Sequence, residues 1–348
     1  MAAKWNPYFR LNDVDHEFYE KHLSGFLPPR IFDFHVHVGE PRHFQPLSLQ
    51  RLRANWALEC GYILPFDDLR DAYRHLFPGA EVSQLCFGFP IQEARLPALN
   101  GYVAEHIAKK EAFGLYISEP GEDADALRRN LIEGRFSGLK PYPDLVRGKA
   151  EAEISIFDYV PKSHMAAVEG LGLILLLHLP RPGRLKDPAN IAELKEIARE
   201  FPKLKLVIAH VGRSYCLSFA KEGMPQLSDC PNFFYDIAAV LNPDVLEFTL
   251  REVGPKRILW GSDFPILFLR GRQEWRGDKY VNLTSQTFMW NVERRPSEEE
   301  ARYTLYVYEQ LRALREACER AGASREDVER ILHSNAITLL NSCVMRNA

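Results

Sequence analysis

Short runs of Val, Ile, Leu and Phe recur along the chain, with amphipathic stretches between them. Eight of these runs read as strands: 30–38, 84–89, 112–118, 136–142, 172–179, 204–211, 233–239 and 257–262. In the stretch 190–201, Ile191, Leu194, Ile197 and Ala198 fall at helical spacing. Strands apolar on both faces that alternate with helices predict a parallel sheet. Eight such units predict an α/β fold of the (β/α)8 barrel type, with inserted loops and C-terminal helices. An open doubly wound sheet is the alternative, but no G-x-G-x-x-G or P-loop follows any run.

Two connections are too long for plain barrel loops. Residues 39–83 follow the first run, and 264–295 follow the eighth. Both are expected to emerge at the C-terminal face, where barrel enzymes carry their sites, so they should shape or cover a pocket. From Pro296 the tail reads as two helices, the second opening on a capping box, Ser324-x-x-Asp327. The expectation is one domain over 1–348: a core at about 30–265, an insertion at 39–83, a lid-like segment at 264–295 and terminal helices at 296–348.

Composition narrows the function classes. Of the 348 residues, 46% are apolar, enough for a sizeable core. Forty-seven acidic against 44 basic residues leave a net charge of −3, which argues against a nucleic-acid partner. No apolar run approaches the roughly 18 residues of a membrane helix, and 1–30 carries no secretory apolar region. The six cysteines are far apart and form no C-x-x-C pair, as in reduced thiols of a cytoplasmic protein. A homo-oligomer is compatible with all of this.

The chemistry begins in Ile31-Phe-Asp-Phe-His35-Val-His37. Alternation along a strand puts His35 and His37 on one face, which would form half a metal site. His178 ends the fifth run, His210 the sixth and Asp263 the eighth. A lone polar residue at a strand end is usually a turn former. Five of them closing four buried strands at one end of a barrel would be costly without a shared partner, and a metal supplies it. Three histidines and one carboxylate suit one divalent ion, Zn2+ first, with Mn2+ or Fe2+ compatible.

These pieces resemble a known family. DFHVH, Gly138-Leu139-Lys140, His178, the AHVG at 209–212 and the WGSDFP at 260–265 together look like the amidohydrolase superfamily. Within it, the chain is similar to the amidohydrolase-related branch, which includes amino-carboxymuconate-semialdehyde decarboxylase, resorcylate-type decarboxylases and lactone hydrolases. The resemblance implies that His35, His37, His178 and Asp263 hold one metal and that His210 helps in proton transfer or in polarising the substrate. It leaves Lys140 with two readings. One is a pocket-facing cation; the other is a carbamylated bridge between two metals.

On this basis the expected activity is hydrolysis of a C–N or C–O bond, as in an amide or lactone, by metal-activated water. Asp263 would accept the proton and His210 stabilise the oxyanion. Nonoxidative decarboxylation of a small aromatic or unsaturated acid is the alternative, and an inactive ligand-binding barrel the third. Arg181 and Arg184 follow His178, and Arg213 follows His210. Guanidinium groups there predict a small anionic substrate, gripped by Arg213 and Lys140 with Arg181 nearby, although any one arginine could instead pair with an acid at the rim.

Overall fold

A computed structural model describes residues 9–343. The last five residues of the expected terminal helices, and the first eight of the chain, lie outside the described part. Eight strands run β1 Arg30–His37, β2 Glu81–Phe87, β3 Phe113–Tyr116, β4 Gly138–Leu139, β5 Ile174–Leu177, β6 Lys205–Ile208, β7 Phe233–Asp236 and β8 Ile258–Leu259. They pair in sequence order, each parallel to the next. The ring closes between its ends: Phe34 N–H donates to Trp260 O at 2.9 Å, His37 N–H to Phe264 O at 2.8 Å and Asp263 N–H to His35 O at 2.8 Å. The architecture is the predicted (β/α)8 barrel.

Alternation along the strands builds two apolar layers. Ile174, Leu176 and Val207 fill the barrel interior with Phe32, Phe34 and Phe87. Leu175, Leu177, Leu206 and Ile208 face the surrounding helices. The tail from Ser324, which opens on the predicted capping box, ends in Asn335–Asn341. Its Ala336, Leu339 and Leu340 join the interior cluster and so seal the bottom of the barrel.

The two long connections differ from expectation in detail. Part of 39–83 is an ordinary barrel helix, Phe66–Leu76, which buries Phe66, Leu69, Ala72, Tyr73 and Leu76. The extra material is the short helices Leu49–Ala54 and Trp56–Cys60. The segment after β8 holds an antiparallel hairpin, β9 Gly271–Arg276 and β10 Lys279–Thr284. Its two-residue turn has Gly277 at φ 61°, a left-handed position that glycine takes without strain. Among the described residues no helix is long and apolar enough to cross a membrane. All six cysteines are free thiols.

Candidate metal centre

Strand parity alone would not bring His35 and His37 into the barrel. Phe32 and Phe34 already occupy its interior, so strict alternation would turn His35 outward. The pairing of β1 with β2 slips between Asp33 and Val36, where one extra residue enters β1. This bulge re-aims the strand, so that Val36 packs outward and both histidines line the cavity above the core. Asp33 pins it. Its buried carboxylate accepts from Ser262 N at 2.8 Å, His35 N at 3.3 Å and Tyr73 Oη at 2.9 Å. Burial pushes the Asp33 pKa up to about 7, against the pull of these donors.

The partners of the rings fix their protons. His35 Nδ1 donates to Asp236 Oδ2 at 2.9 Å, and His37 Nδ1 to the Gly88 carbonyl at 3.1 Å. Burial lowers the pKa of both rings, most strongly that of His35, so each is neutral with its proton on Nδ1. The bare Nε2 atoms then face one carboxylate oxygen: Asp263 Oδ1 lies 3.5 Å from His35 Nε2 and 3.3 Å from His37 Nε2. While the rings are neutral, two lone pairs face one carboxylate oxygen. His35, His37 and Asp263 each offer one ligand atom, all within 4.8 Å of one another, a set that could hold a metal ion. Burial alone would raise the Asp263 pKa, but His210, His37 and His35 hold it below the usual carboxylate range.

His210 stands beside this trio, and His178 beyond it. Their ring centroids are 5.4 Å apart, and His210 lies 4.7 Å from His35. His178 is not within the close trio, although its buried Nδ1 has no hydrogen-bond partner. Burial, helped by the Arg213 charge, puts its pKa well below the ordinary value. His210 donates from Nδ1 to the Ala238 carbonyl at 2.8 Å. Backbone strain gathers here: φ is 55° at His210, 50° at Val211, 62° at Arg213 and 61° at Asp263. For β-branched Val211 this is a costly conformation, held by the surrounding contacts.

The residue that sequence reasoning missed is Asp236, at the end of β7. It is fully buried and takes three bonds: His35 Nδ1 on Oδ2, and the amides of His210 at 2.8 Å and Ala238 at 3.1 Å on Oδ1. It therefore orients two of the four histidines. The signal was present, since Phe-Phe-Tyr-Asp236 closes a strand with a carboxylate as the eighth strand does.

The cations divide. Arg181 turns away to the helix Pro188–Glu200, bonding Glu193 at 2.7 and 3.1 Å and Asn190 at 2.9 Å, and it does not reach the cavity. Arg213 lines the cavity, but its Nη1 already meets Glu151 at 3.1 Å and the Pro180 carbonyl at 2.9 Å. Lys140 is sealed beneath the floor. Its Nζ has no hydrogen-bond partner and lies 5.2 Å from the Phe87 ring centroid and 5.6 Å from that of Tyr142. Burial lowers its pKa to about 8, although Asp236 and Asp263 pull the other way.

Above this floor opens a cavity of about 630 Å3. Trp56 from the first insertion and Gln273 and Tyr280 from the hairpin wall it, with Phe89, Tyr142 and Tyr215. A larger hollow, about 810 Å3, lies elsewhere, beside Tyr73, Phe113 and Leu340, and contains none of these histidines.

A family model described as amidohydrolase (the Amidohydro_2 family) matches residues 32–341. The chain belongs to that family. A search of curated protein sequences finds no match. Solved structures with the same barrel include 5-carboxyvanillate decarboxylase from Sphingomonas paucimobilis, 13% identical, covering 90% of this chain and 99% of that one at a TM-score of 0.53. Another is 2,6-dihydroxybenzoate decarboxylase from Rhizobium, 15% identical, with coverage of 90% and 99% and a TM-score of 0.52. A third, dihydroxybenzoic acid decarboxylase from Polaromonas sp. JS666, was solved with manganese and the inhibitor 2-nitroresorcinol; it is 14% identical, with coverage of 90% and 97% and a TM-score of 0.53. At these identities the likeness of this amidohydrolase-family chain to each is one of fold.

Proposed function

We propose that the chain is a metal-dependent nonoxidative decarboxylase, which replaces the carboxylate of a small ring-bearing acid by a proton. The observation that carries the reading is the floor of the cavity, where two bare imidazole nitrogens face a carboxylate oxygen beneath aromatic walls. His35, His37, His178 and Asp263 would hold one divalent metal, with manganese, zinc or iron compatible with the donors. When bound, the metal supplies positive charge that fixes the oxygens of the acid and offsets charge left on the ring.

The residues of the chain do the rest. The rings of Tyr142, Tyr215 and Trp56 offer flat apolar faces to a ring substrate and displace water from it. His210 holds its Nδ1 proton on the Ala238 carbonyl, so Nε2 is the atom at which it takes up and gives back a proton. The C–CO2 bond breaks with its electron pair left on the ring carbon. The proton from His210 Nε2 completes the new C–H bond, and CO2 leaves. The named decarboxylases that share the barrel support this reading over the hydrolysis expected from the sequence. The family's own description keeps amide or lactone hydrolysis as the second reading.

The test is a panel of hydroxybenzoic acids and a panel of lactones and amides, offered to manganese-reconstituted and to chelator-treated protein. CO2 release that chelation abolishes is the expected result. Acid release from lactones or amides with no CO2 from any acid would replace decarboxylation by hydrolysis.

A further inference from the structure

The cavity wall contains one cation whose charge the fold leaves unmet. Lys149 pairs with Asp158 at 2.7 Å, Arg213 with Glu151, and the wall carboxylate Asp144 is taken by Arg51. Arg184 also lines the cavity, and among the described residues no carboxylate lies within ion-pair distance of it. Its side chain meets only neutral oxygens, the Arg213 carbonyl at a long 3.4 Å and the Tyr280 hydroxyl. Its guanidinium is framed by rings instead, with centroids at 5.2 Å for Tyr215, 4.9 Å for Phe219 and 5.7 Å for Tyr280.

This frame is built from separate elements. Arg184 sits at φ 56°, an uncommon conformation for a residue with a side chain, in the loop after β5. Tyr280 comes from the hairpin, whose turn residue Asp278 binds Lys186 of that same loop at 2.9 Å. The hairpin is thus fastened over Arg184. The same cavity joins Arg184 to the candidate metal centre: Tyr215, 5.2 Å from the guanidinium, has its ring centroid 6.3 Å from that of His210 and 5.2 Å from that of Tyr280. A guanidinium held against aromatic faces keeps its in-plane donors free for a carboxylate.

We propose that Arg184 is the seat of a second anionic group of the substrate, about one ring away from the reacting carboxylate. The substrate class is then a ring acid with a further carboxylate, and Arg184 selects it over the simple acid. This deepens the decarboxylase reading and rests on it for the position of the reacting group. Tyr215 and Tyr280 hold the guanidinium, and the hairpin closes the outer edge of the subsite.

The experiment is calorimetric titration of the full-length, manganese-loaded protein with benzoate and with isophthalate. Wild type should bind isophthalate about 10- to 100-fold more tightly, the worth of one hydrogen-bonded charge pair. In Arg184→Met that preference should vanish while benzoate affinity changes by less than about threefold, because no other wall cation is free to replace the fork. Arg184→Lys keeps a charge but loses the fork, so its preference should be intermediate; it also serves if the methionine variant does not fold. An arginine with only a stacking role would weaken both ligands alike, and that result overturns the proposal. So does a wild type that binds neither ligand or shows no preference. A wild type that prefers isophthalate through Arg184 but releases CO2 from no acid retains the subsite and rejects the decarboxylase reading.

Discussion

Lys140 is a charge placed where the fold gains nothing from it. Replacing it with methionine keeps the length of the side chain and removes the ammonium. A depression from 10.5 to about 8 means that the folded state disfavours the charged form. At neutral pH this corresponds to on the order of 3 kcal/mol, since one pKa unit is about 1.36 kcal/mol. The side chain is fully buried, so solvent does not screen the penalty. The sign follows from linkage: the folded state binds protons less readily than the unfolded state. The penalty is complete below pH 8 and is relieved as pH rises from 8 toward 10.5. Lys140→Met should therefore melt higher than wild type at pH 6–7, by roughly 4 °C at the usual unfolding entropy per residue. The gap should shrink between pH 8 and 10. Scanning calorimetry of both proteins in chelator, at one scan rate, measures it. Turnover should fall, because the ammonium supports the ionised forms of Asp236 and Asp263. A variant that melts lower at pH 7, or a gap constant from pH 6 to 10, would refute the argument.

Other predictions concern the ligand set. Asp236→Asn would turn an amide donor toward His35 Nδ1 and shift that ring's proton to Nε2; metal affinity should fall about 10- to 100-fold with little change in melting temperature, as equilibrium dialysis would show. His178→Ala should empty the site, whereas His210→Ala should keep the metal and lose about 10² to 10⁴ in rate. Metal loss in both would make His210 a ligand. Elemental analysis should find about one divalent ion per chain, with no added mass on Lys140; two ions and a carbamylated lysine would contradict the single-metal reading.

The barrel was legible because strands buried on both faces must be apolar throughout, and runs such as Ile174–Leu177 stand out on that account. The histidines and Asp263 were legible as polar breaks at the ends of such runs. The bulge in β1 was not. It depends on Asp33 meeting Ser262, a contact 229 residues away in sequence. The hairpin was missed because charged and polar residues dominate its strands, although Gly277-Asp278 between two alternating stretches was a usable sign. The fates of Arg181, Arg184 and Arg213 could not be read, since a long flexible side chain can reach a cavity or a neighbouring helix from the same position.

The closure of the ring through Asp263 and His35 has a consequence for how the protein is made. The first strand leaves the ribosome carrying His35 and His37, and the segment that clasps it follows more than two hundred residues later. At about 5–20 residues per second that interval is on the order of 10–50 s. Throughout it the two histidines lack the Asp263 oxygen, and for most of it also the Asp236 carboxylate that fixes the His35 proton. Capture of the proposed metal would thereby be tied to the last strand rather than to the first. A nascent chain halted before residue 263 should retain manganese no better than an unfolded one, and cells short of metal should accumulate a completed barrel rather than a truncated intermediate.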